Sequence, residues 1–141
     1  MSLTAQHRVA ILLHQGLRNH GGKTGLAYLR YGVAPVVAVI DADCAGESLR
    51  ELTQIESDAP VVASVAEALS YAPDVLLIGL APTGGVLPEA WQREVKAGVK
   101  AGLSLVNGLH VPMGGIVEKL RPGQWIWDVR QEPANLVVGK G

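Results

Sequence analysis

The chain has 141 residues, 48% hydrophobic and 18% charged, with a net charge of −1. That length suits one domain with a sizeable core. The near-neutral balance excludes a basic field for nucleic acid or an anionic membrane surface, and apolar runs of at most six or seven residues are too short to span a bilayer. The single Cys44 excludes an internal disulfide and fits a reducing cytoplasm.

Arg8–Leu13 is the first short apolar run and predicts a strand. No small-residue cleavage pattern follows it, so a signal peptide is not expected. A long polar loop comes next and carries Gly21, Gly22, Lys23 and Thr24. A helix is predicted from Lys23 or Thr24 to about Tyr31, with Leu26, Ala27 and Leu29 facing a sheet and Gly32 placed to end it. Pro35–Ile40 is valine-rich and predicts the second strand, which ends at Asp41.

Glu47–Ile55 has helical spacing at Leu49, Leu52 and Ile55 but is short, and its assignment stays open. Val61–Ala63 predicts a brief third strand. Ser64 then caps a helix to about Tyr71, with Glu67 completing a capping box. Asp74–Leu80 is almost wholly apolar and bounded by turn residues, as expected of a strand buried on both faces of a parallel sheet. It breaks into Ala81-Pro82-Thr83-Gly84-Gly85. Pro88 suits the first turn of a helix running to about Ala101, whose Trp91, Val95 and Val99 recur on one buried face. Gly102 ends it, and Leu103–Val106 predicts the fifth strand, before Asn107-Gly108-Leu109-His110. Ile116–Leu120 reads as a turn or two of helix, and Trp125–Val129 and Leu136–Val138 as short strands.

Strands alternating with helices imply βαβ units with right-handed crossovers. The fold class expected is α/β: a single Rossmann-like domain, residues 8–141, with a doubly wound parallel sheet in three α/β/α layers. The simplest strand order is 3-2-1-4-5. It puts a switch-point crevice between the loops that follow Leu13 and Leu80.

Each candidate site residue has a plainer alternative. Gly21-Gly22-Lys23-Thr24 opens a helix after a strand and resembles a phosphate cradle, in which amides and the lysine charge hold an anion. It misses the Walker pattern, because Leu17 stands where glycine is required, and the dinucleotide glycine fingerprint is absent too. The alternative is an ordinary glycine turn with a solvated lysine. Asp41 stands where a Rossmann fold places the carboxylate for a ribose hydroxyl, or is simply a capping aspartate. Pro82, Thr83, Gly84 and Gly85 offer a hydroxyl and backbone donors. Asn107 and Gly108 add an amide and a close backbone approach, and His110 an imidazole suited to acid–base work or to a structural bond. His14 and His20 carry the same ambiguity. Cys44 reads as a small filler. No pair of residues has metal-ligand spacing, and no metal is expected.

Gly21–Gly25 (Gly-Gly-Lys-Thr-Gly), Val37–Asp41 with Ala45-Gly46, Ile78–Gly85, Val106–His110 and Trp127–Arg130 occur in that order. Together they resemble the amino-terminal Rossmann-like domain of the D-glutamate N-acetyltransferase-like family, over about Arg8 to Gly141. The resemblance implies a two-domain protein in which this domain leads into a larger carboxyl-terminal domain with its own P-loop. It also implies that some members transfer an acetyl group from acetyl-CoA to D-glutamate. This chain departs from the pattern by stopping at Gly141, before that second domain.

Two function classes follow. One is the amino-terminal half of an amino-acid N-acetyltransferase, with His110 as base, the Gly84 and Gly85 amides as oxyanion donors and the remaining candidates as ligand contacts. The other is a non-catalytic nucleotide-binding or oligomerisation module. The residues themselves name no cofactor: acetyl-CoA is implied by the resemblance, and the missing fingerprint ranks NAD behind it. A small-molecule ligand is expected, with neither nucleic acid nor membrane as partner. Trp125 and Trp127 on one side of a short strand also predict self-association.

Overall fold

The computed structural model describes residues 5–14, 26–29, 32, 34–79, 89–107 and 122–128. The sheet has strands β1 (Val9–Leu12), β2 (Val36–Ile40), β3 (Val61–Val62), β4 (Val75–Ile78), β5 (Ser104–Asn107) and β6 (Ile126–Asp128). The order is β3-β2-β1-β4-β5-β6, and every neighbouring pair is parallel. The predicted five-strand order holds, and β6, read as a strand from Trp125–Val129, adds to the β5 edge.

The helical elements are α1 (residues 26–29), α2 (Leu49–Thr53), α3 (Val65–Ala68, continued by a 3-10 turn at Leu69–Tyr71) and α4 (Glu89–Lys100). Alternation along the strands sorts them into layers. Ala10, Leu12, Leu76 and Ile78 point to one face and pack with Val65, Ala68, Val95 and Val99 of α3 and α4. Val9, Ile11, Val75 and Leu77 point to the other, where Leu26, Leu29 and Leu49 of α1 and α2 cover them. Both faces of the central strands are buried, which is why β1 and β4 are apolar at every position. This is the doubly wound, three-layer arrangement.

Two local features depart from the expectations. Ala27 is exposed, and Tyr28 packs inward in its place. An aromatic ring buries far more area than a methyl group, and the Tyr28 hydroxyl also accepts the Ala34 amide at 3.2 Å. The open segment 47–55 resolves into α2, capped by Ser48, whose hydroxyl accepts the Glu51 amide at 3.3 Å. The rest follows the pattern. Ser64 Oγ accepts the Glu67 amide, and Glu67 Oε1 reaches back to the Ala63 amide, a capping box shifted by one residue. Gly102 closes α4 at φ +109, where an L side chain is strained. The segments read as helix at 116–120 and strand at 136–138 lie outside the described residues, and among those residues no helix is long and apolar enough to cross a membrane.

Candidate functional site

All strands are parallel, so the chain leaves each of them at the same edge of the sheet. The row Val62–Ile40–Leu12–Ile78–Asn107–Asp128 is in register across that carboxyl edge. β1 lies between β2 and β4, and connections depart from it to opposite sides, which is the topological switch point. Gly79 and Leu13, both buried there, donate their amides to Leu12 and Ile40 respectively.

Beside that point is an open cavity of about 230 Å³. His14 just past β1, Asp41 and Asp43 past β2, and Trp91 and Glu94 of α4 line it. His14 is held on three sides. Its Nδ1 accepts the Ala42 amide at 3.1 Å, its Nε2 lies 3.3 Å from Glu94 Oε2, and its ring stacks on Trp91 with centroids 5.7 Å apart. A nitrogen that accepts an N–H carries no hydrogen, so these bonds assign the ring proton to Nε2, facing the carboxylate. The other Glu94 oxygen, Oε1, accepts the Val65 amide at 2.6 Å. Burial pushes the Glu94 carboxyl up, but the bonds from His14 and Val65 outweigh it and leave the group below the ordinary glutamate value.

Asp41 has no exposed surface. Its Oδ1 accepts the Asp43 amide at 3.1 Å and caps the 3-10 turn Ala42–Cys44. It therefore plays the plainer, capping role foreseen for it, at the wall of the cavity. Cys44 is buried in the core on the α2 side, as a filler should be. Asn107 is fully buried at the last position of β5. Between it and Asp41 stand β1 and β4, a separation of about 14 Å at the usual strand spacing, so the two border the same edge without meeting in one cavity.

Of the other predicted site residues, Gly21, Gly22, Lys23, Thr24, Pro82, Thr83, Gly84, Gly85, Gly108 and His110 lie outside the described residues. Glu94 is the group sequence reasoning missed. No local spacing marks it, since its partner His14 stands 80 residues away. A second cavity, of about 300 Å³, opens at the opposite, amino edge between His7, Asp74, Ser104 and Trp125. It is larger, but its polar groups serve the frame. Asp74 Oδ2 accepts the Arg8 amide at 3.0 Å and Ser104 Oγ accepts the Trp125 amide at 3.1 Å. The carboxyl edge, where the cavity lined by His14, Asp41, Asp43 and Glu94 opens, is the candidate site.

Comparison with known proteins agrees with this frame. No curated protein matches the chain. A crystal structure of a DUF1611 family protein from Anabaena variabilis ATCC 29413 shares 56% sequence identity with it, at a TM-score of 0.83. That likeness covers 92% of this chain and 38% of the other, so the chain spans well under half of its relative's length. Residues 42–132 match the Rossmann-like domain of unknown function named DUF1611_N. With a solved relative at that identity and a family match over most of its length, the chain belongs to the DUF1611 family, within the family's Rossmann-like domain.

Proposed function

We propose that this domain supplies a small-molecule site at the carboxyl edge of its sheet, and that in longer family members the site serves amino-acid N-acetyl transfer. The observation that carries the reading is the cavity beside the switch point, lined by polar groups from the ends of β1 and β2 and from α4. The acidic residues of its lining, Asp41, Asp43 and Glu94, favour hydrogen-bond donors over phosphates. It therefore takes the ammonium end of a D-glutamate-like substrate. The phosphates of acetyl-CoA go to the segment containing Lys23, with Gly21, Gly22 and Thr24 as donors.

In the transfer step the neutral amine nitrogen bonds to the thioester carbon, the carbon–sulfur bond breaks, and the CoA thiolate leaves. A base must take the ammonium proton before attack, the nitrogen's second proton passes to the departing thiolate as the amide forms, and donors must hold the oxyanion. His110 and the Gly84 and Gly85 amides take these roles, with Thr83 and Asn107 orienting the substrate. His14 is excluded as the base, because its acceptor nitrogen is already engaged by Ala42. The buried Cys44, which is not in a disulfide, suits a reducing compartment, the cytoplasm.

One observation favours a second reading, a non-catalytic binding module. His14 and Glu94 satisfy each other and neighbouring amides, as groups of a rigid frame do. Thermal-shift titration with D-glutamate, acetyl-CoA, ATP and NAD separates the two. Ligand at a hundredfold its dissociation constant stabilises the fold by about 2.7 kcal/mol, a shift of several degrees. Stabilisation by D-glutamate and acetyl-CoA, weakened by Lys23→Ala and Thr83→Ala, supports the transferase. Stabilisation by ATP or NAD alone points to the module.

A further inference from the structure

We propose that the amino-edge cavity is a second binding site, built for one planar ring that carries an amide edge, a carboxamide or a lactam. It is independent of the carboxyl-edge reading, because the two cavities lie at opposite ends of the strands. Asp74 and Ser104 stand side by side at the starts of β4 and β5, where the Ser104 amide donates to the Asp74 carbonyl at 2.9 Å. Both residues line the cavity. Trp125 and His7 form another part of its wall, their rings meeting at 84° with centroids 6.0 Å apart.

The frame uses only part of what these groups can bond. Asp74 Oδ2 accepts the Arg8 amide at 3.0 Å, and among the described residues Oδ1 accepts nothing. The Arg8 guanidinium does not pair with this carboxylate; it donates to the Ala72 and Tyr71 carbonyls at 2.9 and 2.6 Å. Ser104 Oγ accepts the Trp125 amide at 3.1 Å, and its own proton goes to no described residue. Ser104 is only 6% exposed, and an unmade donor is costly in a buried side chain. The cavity thus offers an acceptor and a donor together. A carboxamide or lactam presents the reverse pair on one edge, so that its N–H donates to Asp74 and its carbonyl accepts from Ser104. An ammonium ion brings no acceptor for the Ser104 proton, and an anion is repelled by Asp74. Benzene fills an engineered cavity of roughly 150 Å³, so about 300 Å³ takes one substituted ring. The indole and imidazole suit an aromatic ring, which favours edge or offset contacts with its neighbours.

The test is an NMR titration of the nitrogen-15-labelled chain at neutral pH with nicotinamide and, separately, with uracil. Both are taken to about 10 mM, the range of weak fragment binding. Either probe should move the Ser104 and Gly123 amides and the Trp125 indole N–H, and leave Leu13 and Ala42 at the carboxyl edge unmoved. Tighter binding of nicotinamide identifies a carboxamide ligand, and tighter binding of uracil a lactam. N,N-Dimethylnicotinamide has no N–H for Asp74 and should bind at least about tenfold more weakly, the scale of a hydrogen bond to a charged group. Asp74→Asn keeps a carbonyl oxygen for the Arg8 amide and turns the other oxygen into a donor. It should weaken nicotinamide by a similar factor. Should that variant unfold, the dimethyl comparison still decides the matter on the native chain. The site is overturned if neither probe moves the amino-edge groups, or if the shifts gather at Leu13 and Ala42. Equal binding of the dimethyl compound, or unchanged affinity in a folded Asp74→Asn, would overturn it as well.

Discussion

The Glu94 carboxylate accepts the Val65 amide at 2.6 Å, so α4 caps α3, its neighbour on the same face of the sheet. Val65 is the first residue of α3, whose opening amides lack partners within the helix. Ser64 takes the Glu67 amide, and Glu94 takes the Val65 amide. Glu94→Ala should cost about 1–2 kcal/mol, the scale of a lost cap and a charge-assisted bond. Glu94→Gln keeps an acceptor for Val65 and should lose less than Glu94→Ala. Urea denaturation at unchanged m-value checks this; equal losses in the two variants would show that charge, and not capping, dominates.

The same group sets a pH dependence. Its folded value lies below the ordinary 4.5, so the unfolded chain binds the proton more readily. Glu94 thus contributes stability that is complete above the ordinary value and is lost as pH falls through the lower, folded one. The stability gap between the native chain and Glu94→Gln should be constant at neutral pH and close in acid. A gap that widens on acidification reverses the sign and contradicts the inferred bonding.

The sheet was legible because its signal is local. Val75–Ile78 is apolar at every position, and only a strand covered on both faces needs that. Asp41 and Asn107 were placed at the carboxyl edge because strand direction alone carries them there. The His14–Glu94 pair was not legible. Glu94 adjoins Val95 on a helix whose buried stripe of Trp91, Val95 and Val99 absorbs the visible periodicity, and its partner comes from another βαβ unit. The inward turn of Tyr28 at the expense of Ala27 was hidden for a related reason. The bond from the Ala34 amide that lets a tyrosine face the core joins residues six apart, and helical spacing does not report it.

Gly98 lies on the buried face of α4. A Cβ there would meet Leu76 Cδ2 at 3.1 Å, Leu103 Cδ1 at 3.5 Å and Val65 Cγ1 at 3.6 Å. Alanine gains about 1 kcal/mol of helix propensity over glycine, which crowding against the fully buried Leu76 offsets. Gly98→Ala should therefore change stability by less than about 1 kcal/mol, while the larger Gly98→Val should destabilise by about 1–3 kcal/mol. Thermal unfolding of the pair checks it, and a stabilised valine variant would mean that α4 can shift off the sheet.

The two aspartates of the β2 turn should separate structure from binding. Asp41 is fully buried and caps the turn through the Asp43 amide, whereas the Asp43 side chain is exposed at the cavity. Asp41→Ala removes the cap and should cost about 1 kcal/mol, and Asp41→Asn should restore most of that, since asparagine caps as well as aspartate. Asp43→Asn leaves its own backbone amide in place as the donor to Asp41, so the turn should keep its stability. If the cavity takes an ammonium group, losing the Asp43 charge weakens binding of D-glutamate in a salt-dependent way, because an exposed charge acts through screened solvent. Calorimetric titration of the native chain and Asp43→Asn at low and high salt reads this directly. Affinities that stay equal at low salt would remove the ammonium assignment, and a destabilised Asp43→Asn would mean that its carboxylate serves the turn and not the cavity.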